Sequence, residues 1–240
     1  MSLNVLETRD ATLVEDIDDT WIVIPAYMEE TVIAQTIYDA RSRFKNVVDV
    51  DDVSADATAT VAFAACAHVI KHPINLGQGA ALQTAIDYAV LKGARFIATF
   101  DADGQHTITD VVDMLKILRL GELDVVLGSR FIGAAVGISV ARRLLLRAAI
   151  IFTRVTTGLT LTDAHNGLRV FTRAGIKKIE LRQNRMAHAS EILEQIAQQK
   201  LRYVEHGNTI CYTAYSVAKG QRASNSVSIL MDLFVGRLRK

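Results

Sequence analysis

Two aspartates one residue apart, Asp101 and Asp103, follow a short apolar run at residues 95–100. That run is rich in apolar and β-branched residues and carries no charge after its first residue, which predicts a buried strand. Gly104 then lets the chain turn, and the amide of Gln105 supplies a third side-chain oxygen. Carboxylate and amide oxygens hold Mg²⁺ or Mn²⁺ while substrate phosphates complete the coordination shell. The stretch predicts a divalent-metal site, with a simple polar turn at a strand end as the alternative.

A second pair of acidic residues follows a second predicted strand. Asp51 and Asp52 come directly after the apolar residues 46–50, and a loop with glycines occupies residues 75–79. Ligands of open α/β sheets bind at the carboxyl ends of the strands. Two acidic strand ends with a glycine loop between them in sequence therefore predict a nucleotide pocket with a metal beside it.

The elements that must hold these residues alternate through the first 130 positions. This order predicts an α/β fold with a mostly parallel sheet covered by helices on both faces. A helix after the metal-site stretch is expected to begin at Thr107, with Asp110 in its first turn. The predicted strands cover residues 21–25, 46–50, 68–71, 95–100 and 123–127. The helices between the first four strands are predicted at residues 29–44, 55–67 and 80–91.

The second half is richer in arginine. A helix over residues 140–155 places Arg143, Arg147 and Arg154 on one face and apolar residues opposite. Its two interpretations are a surface helix packed by its apolar face and an interfacial helix whose arginines meet phosphate head groups. Further expected elements are a polar loop at 162–169, a strand at 170–171, a helix at 187–200, edge strands at 202–204 and 209–212, and an amphipathic helix at 222–240.

Composition limits the class of protein. The 240 residues are 50% hydrophobic and 22% charged with a net charge of +1, which predicts a globular chain and disfavours nucleic-acid binding. The two cysteines, Cys66 and Cys211, have no metal-ligand spacing and are expected to be small core residues in a reducing compartment. No secretory signal and no long apolar span are recognised, so a cytoplasmic protein at the inner membrane face is expected.

Six motifs in order then resemble the family 2 glycosyltransferases, and within them the polyprenyl-phosphate sugar synthases typified by dolichyl-phosphate mannose synthase. The resemblance covers residues 21 to about 221. The motifs are Ile24–Tyr27 with Glu29 and Glu30, Asp51–Asp52 with Ser54 and Asp56, Asn75–Gly79, Asp101–His106, Gly128–Phe131 and Asn166–Arg169.

The resemblance implies a single GT-A domain over residues 1–240, with a lead-in at 1–19, a nucleotide-sugar-binding half at 20–130 and an acceptor half at 131–221. It implies inverting, metal-dependent transfer of a hexose from GDP-mannose or UDP-glucose to a polyprenyl phosphate. Mg²⁺ or Mn²⁺ is the implied cofactor. The implied partners are the nucleotide sugar, the lipid acceptor and a membrane surface or membrane protein, while self-association is left open.

The resemblance also assigns roles to individual residues. Asp101 is placed near the ribose and the metal, with Asp103 and Gln105 as further metal ligands. The residues assigned to the donor are Pro25, Tyr27, Glu29, Asp52, Gly77, Gln78 and Lys219, of which Asp52 is assigned to the nucleobase and Lys219 to the diphosphate. The residues assigned to the acceptor phosphate are Arg130, Arg143 and Arg169, of which Arg130 is also assigned a catalytic role.

Two acceptor classes remain open from the residues. A lipid phosphate is already ionised near neutral pH and needs positioning by arginines. An alcohol of a cell-wall or capsular glycan needs a carboxylate base, for which Asp163 and Glu191 are the candidates.

The chain also departs from the family pattern. Met28 replaces an Asn and Val53 replaces a Gly, and a β-branched residue resists a positive φ. These departures motivate a third hypothesis, a nucleotide-sugar-binding module without turnover.

Overall fold

In a computed structural model the chain is described over residues 17–183 and 188–212 and at Tyr215. The strands are β1 Thr20–Ala26, β2 Asn46–Asp51, β3 His68–Lys71, β4 Phe96–Thr99, β5 Val125–Val136, β6 Arg169–Thr172 and β7 Tyr203–Cys211. The helices are α1 Ile33–Arg41, α2 Thr58–Ala64, α3 Gln78–Leu91, α4 Ile108–Leu120, α5 Val140–Thr157, α6 Arg173–Ile176 and α7 His188–Gln198, with a 3₁₀ turn at Ile17–Asp19.

The seven strands form one sheet in the order β3-β2-β1-β4-β6-β5-β7. All neighbouring pairs are parallel except the two that involve β6, which runs antiparallel to both β4 and β5. Because β6 is reversed, its first residue, Arg169, lies at the edge where the parallel strands end. The predicted mostly parallel α/β sheet is confirmed.

Helices cover both faces of the sheet, as predicted. Along β1, Trp21 and Val23 join a core with α3 and α7, whereas Ile22 and Ile24 join a second core with α1 and α4. Successive side chains of a strand point to opposite faces, so a strand buried on both sides is apolar throughout.

The helix after the metal-site stretch begins where the sequence predicts. Thr107 caps α4, and its hydroxyl accepts a hydrogen bond from the Asp110 amide at 3.4 Å. A capped helix directly after the turn fixes residues 101–106 between a strand end and a helix start.

Three expectations about the elements are wrong. Cys66 and Cys211 are exposed, because Cys66 follows the end of α2 and Cys211 ends the outer strand β7. The two short strands expected at 202–204 and 209–212 are one continuous strand, because the polar residues between them pair along β5. The helix expected to start at Glu29 starts at Ile33, since residues 30–32 form a turn. The predictions for Lys219 and for residues 222–240 lie outside the described residues.

Candidate active site

The candidate site lies at the sheet edge where β1, β2 and β4 end. β1 is parallel to both β2 and β4, so the segments that follow all three strands leave the same edge. The reversed β6 begins at this edge, and β5 reaches it at Gly128–Arg130. Five of the six sequence motifs, although far apart in the chain, therefore meet at this edge of the sheet.

Asp101 and Asp103 form an acidic pair at the end of β4. The Asp101 side chain is 33% exposed, and its carboxylate accepts a hydrogen bond from His106 Nε2 at 3.0 Å. Burial by itself would raise the pKa of Asp101, but the hydrogen bond from His106 and the positive charges of Arg169 and His188 lower it overall.

Asp103 behaves in the opposite way. Burial, together with the charge of Asp101, raises the pKa of Asp103 to about 6. Two carboxylates that repel each other are relieved by a cation between them.

The donor set fits Mg²⁺ or Mn²⁺. Asp101, Asp103 and the half-buried Gln105 supply hard oxygen ligands at one turn. No group of three His, Cys, Asp or Glu side chains that could enclose a metal is found in the part of the chain that the structure describes. Mg²⁺ commonly uses one or two carboxylates and takes its other ligands from water and substrate phosphates.

A chain of hydrogen-bonded polar side chains holds the Asp101 carboxylate. The ring of His106 donates to Asp101 through Nε2, and its Nδ1 accepts from the Asn208 amide at 3.4 Å. The Asn166 amide then donates to Asn208 Oδ1 at 2.8 Å and to Asp163 Oδ2 at 3.4 Å. Asn208 was missed at the sequence level because it comes from β7, about a hundred residues after the motif it supports.

Arg130 and Asp163 form a buried ion pair. Arg130 Nε lies 2.6 Å from Asp163 Oδ2, and the two side chains are 5% and 0% exposed. The other guanidinium nitrogens donate to the Tyr212 hydroxyl at 2.7 Å and to the backbone carbonyl of His165. Burial alone would lower the pKa of Arg130, and the charge of Asp163 outweighs it and raises it. All three nitrogen groups of Arg130 are therefore bound to protein acceptors.

Glu205 anchors the loop that carries Asp163. Its carboxylate accepts hydrogen bonds from the backbone amides of Thr162 and Asp163 at 2.8–3.1 Å. Glu205 lies on β7, within the polar stretch that sequence reasoning took as a break between two strands. The loop at residues 162–169 is thus pinned from the neighbouring strand.

Arg169 is the second arginine at the centre. It is 3% exposed, and burial lowers its pKa to about 10 against the opposing influence of Asp101 and Asp163. Gly167 makes this arrangement possible, because a Cβ at that position would collide with the Asp101 carboxylate. The last motif of the sequence thus packs directly against the metal-site carboxylate.

The glycine loop is held by Asp52. The Asp52 carboxylate accepts hydrogen bonds from the amides of Leu76 and Gly77 at 2.8 and 2.7 Å, and its Oδ1 lies 2.8 Å from His72 Nδ1. Asp52 is 2% exposed. A contact of Asp52 with a nucleobase stays a prediction, whereas in this structure its side chain shapes the loop before Gln78, the first residue of α3.

The remaining donor residues lie around the end of β1. Pro25 is buried in the strand, Tyr27 is 50% exposed, and Glu29 is 7% exposed. The hydroxyl of Tyr215 donates to Glu29 Oε2 at 2.8 Å. Tyr215, which follows β7 in the chain, therefore lies beside a residue of the predicted donor pocket.

Both departures from the family pattern have left-handed backbone conformations. Met28 has a φ of 57° and Val53 a φ of 63°. The two residues are next to the same turn, since the Met28 amide donates to Ser54 Oγ at 2.8 Å. The turn that favours glycine is retained here with a β-branched residue, which is strained.

Two further predicted residues lie on the helices α5 and α7. Arg143 is on the exposed face of α5. Glu191 is buried in α7, where its carboxylate accepts hydrogen bonds from the amides of Arg182 and Gln183 at 2.9–3.1 Å. Glu191 therefore caps a backbone segment.

Fold and site together describe an α/β protein with an acidic pair at the carboxyl edge of its sheet. Residues 21–180 match the model of the family described as "Glycosyl transferase family 2". The chain belongs to this family and is a glycosyltransferase.

Relatives and a solved structure support this assignment. The chain is 31% identical to an uncharacterised protein of Methanocaldococcus jannaschii, over 92% of this chain and 93% of that protein. It is 27% identical to the UDP-N-acetylglucosamine–dolichyl-phosphate N-acetylglucosaminyltransferase of Methanococcus voltae (92% and 96%) and 28% identical to the polyprenol monophosphomannose synthase of Mycolicibacterium smegmatis (72% and 69%).

The glucosyl-3-phosphoglycerate synthase of Mycobacterium tuberculosis, solved with Mg²⁺ and UDP, superposes with a TM-score of 0.69 at 16% identity, over 98% of this chain and 84% of that one. At this identity the likeness concerns the fold, which is GT-A.

Proposed function

We propose that this chain is an inverting, metal-dependent transferase that moves a hexose from a nucleotide-diphosphate sugar to the phosphate of a polyprenyl phosphate. The observation that carries the proposal is the acidic pair Asp101 and Asp103 beside the buried Arg169 at one sheet edge. One group of residues attracts a cation and the other attracts a phosphate. Strands from the nucleotide half and the acceptor half share one sheet, which supports a single domain.

Asp101, Asp103 and Gln105 would hold Mg²⁺ or Mn²⁺. When bound, the cation neutralises the charge that develops on the leaving nucleoside diphosphate. His106 keeps Asp101 ionised and oriented, since it donates to that carboxylate and is itself held by Asn208.

The donor would lie over the end of β1. Tyr27, the first residue after β1, is half exposed and its ring would stack on a base, with Pro25 and Glu29 at the same strand end. Asp52 would fix Gly77 and Gln78, at the start of α3, for the donor. Lys219 remains our proposed partner of the diphosphate.

The carboxylates favour a phosphate over an alcohol as the attacking group. Both candidate bases are engaged: Asp163 accepts from Arg130, and Glu191 accepts from two backbone amides. A carboxylate occupied in this way is a poor proton acceptor. A phosphate monoester needs no base because its second pKa is about 6. Arg169 and Arg130 would position its oxygens.

A transfer assay tests this proposal. The purified chain is incubated with Mg²⁺ or Mn²⁺, a short polyprenyl phosphate and labelled GDP-mannose, UDP-glucose or UDP-N-acetylglucosamine. Metal-dependent label in the organic phase is expected, and Asp103→Asn should abolish it while Asp113→Asn, on the surface of α4, should not.

Label transferred only to an oligosaccharide would replace the lipid phosphate by a glycan acceptor. Donor binding without transfer to either acceptor would leave a binding module.

We further propose that the exposed face of α5 lies on an anionic membrane surface. This face combines three arginines with aliphatic side chains that are 61–81% exposed, a combination that suits phosphate head groups and the upper acyl region. No helix in residues 17–183 or 188–212 has the length and apolar content needed to cross a bilayer. The residues of this face are Val140, Arg143, Leu144, Arg147, Ile151, Arg154 and Val155.

Flotation with phosphatidylglycerol vesicles tests this contact. The double variant Leu144→Ser and Ile151→Ser is expected to lose vesicle binding. Its matched control is Leu91→Ser with Leu120→Ser, two leucines on other helices that are 81% and 75% exposed. Equal binding by both double variants would refute the assignment of this face.

A further inference from the structure

The side chain of His165 has two buried ring nitrogens without a hydrogen-bond partner. Neither Nδ1 nor Nε2 contacts a donor or acceptor among the described residues. A neutral imidazole carries one N–H and one lone pair, and a buried polar group left unpaired is costly. Such groups are rare in folded proteins and commonly mark a functional site.

The surroundings of His165 are rich in positive charge. Arg130 donates a hydrogen bond to the backbone carbonyl of His165 itself, and Arg169 and His188 act on the ring electrostatically. Burial and these cations, against the influence of Asp163, lower the pKa of His165 to about 4. The imidazole is therefore neutral at physiological pH, with one N–H to donate.

The backbone around His165 is held in place on both sides. The His165 amide donates to Asp163 Oδ1 at 3.3 Å, and the Asp163 amide is bound by Glu205 at 3.1 Å. On the other side, the Gly167 carbonyl accepts a hydrogen bond from Thr99 Oγ1 at 2.5 Å. The residue as a whole is half-buried while both ring nitrogens are enclosed, so a contact with a ligand requires the ring to rotate.

We propose that His165 donates a hydrogen bond to a phosphate oxygen bound between Arg130 and Arg169. An N–H donor in the electrostatic reach of two arginines is complementary to an anion with several acceptor oxygens. The inference rests on the proposed function insofar as a phosphate is expected at this edge. The phosphate belongs either to the acceptor or to the nucleoside diphosphate of the donor, and the experiment separates the two.

Two variants remove and restore the donor. His165→Phe keeps a ring of similar size without nitrogen, and His165→Gln keeps an N–H. His68→Phe, on the edge strand β3, is the control for a histidine with an exposed side chain. Titration calorimetry measures the binding of farnesyl phosphate, and separately of UDP and GDP with Mg²⁺, and thermal unfolding is recorded for each variant.

His165→Phe is expected to weaken binding about 10- to 100-fold, as for a hydrogen bond to a charged group, and His165→Gln to recover part of it. Loss for farnesyl phosphate alone assigns the contact to the acceptor, and loss for the nucleotides alone assigns it to the donor. The midpoint of thermal unfolding of His165→Phe should equal or exceed that of the native chain, because an unpaired buried N–H is removed.

Unchanged binding of all three ligands to His165→Phe overturns the proposal. So does a loss of binding accompanied by a fall in the unfolding midpoint that His165→Gln does not reverse, since that is a structural role. If His165 governs phosphate binding but the transfer assay fails with every acceptor, the proposed function fails and the contact stands. If transfer succeeds and His165→Phe binds all three ligands as the native chain does, only this inference fails.

Discussion

Asp49 should make the stability of this protein fall as the pH rises. It lies in the middle of β2 with no exposed surface, and neither carboxylate oxygen has a partner among the described residues. Burial, and to a smaller extent the charge of Asp51, raises the pKa of Asp49 to about 8. In the unfolded chain an aspartate has a pKa of about 3.9.

The sign of the effect follows from proton binding. Between pH 4 and pH 8 the folded chain holds a proton on Asp49 that the unfolded chain has released. The free energy of unfolding therefore falls by about 1.4 kcal/mol for each pH unit in this window. At pH 7 the accumulated cost is about 4 kcal/mol, which is large for a domain whose stability is ~5–15 kcal/mol.

Asp49→Asn replaces the titrating carboxyl group by an amide of nearly the same shape. Urea unfolding of both proteins at pH 5, 6 and 7 can be followed by the fluorescence of Trp21, the single tryptophan, which is buried. The stability advantage of Asp49→Asn over the native chain should grow by about 3 kcal/mol between pH 5 and pH 7.

Asp87→Asn, on the exposed face of α3, should show no such growth. An advantage of Asp49→Asn that is constant across these pH values would refute the reasoning, because Asp49 would then be ionised in the folded chain.

Three further changes test other parts of the structure. Val53→Gly should raise the free energy of unfolding by about 1 kcal/mol in urea, because it relieves a left-handed β-branched residue, whereas Val155→Gly in α5 should lower it. Gly167→Ala pushes on the nearby metal-site carboxylate and should reduce turnover about 100-fold in the transfer assay with little change in thermal unfolding. Asp163→Asn leaves Arg130 as an unpaired buried cation, so it should cost about 3–5 kcal/mol in urea, and adding Arg130→Met should restore most of it.

The sheet and the acidic strand ends could be predicted because their signals are local. Asp101 and Asp103 follow an apolar run and precede a capped helix, and both features lie within a few residues. The left-handed conformation of Val53 is the one that the family's glycine favours, although a β-branched residue is expected to resist it. Hydrophobic periodicity, helix capping and turn-forming residues act over short distances along the chain, so they are visible in one sequence.

The supporting residues could not be predicted, because their partners are distant in sequence. Glu205 and Asn208 look like surface residues in a polar stretch, and only the pairing of β7 with β5 brings them to the 162–169 loop and to His106. The burial of Arg130 was equally hidden. An arginine is usually exposed, and only the contact with Asp163 makes a buried arginine tolerable.

The two central arginines differ in what a phosphate would require of them. Arg130 would have to release Tyr212 or a backbone carbonyl to contact a ligand, while Asp163 keeps its charge compensated. Arg169 is buried near Asp101 and Asp163, and desolvation already lowers its pKa. A dianionic phosphate beside Arg169 would favour the charged guanidinium that burial disfavours. Arg169 therefore gains more from a bound phosphate than Arg130, whose main effect is to hold the loop that presents Arg169.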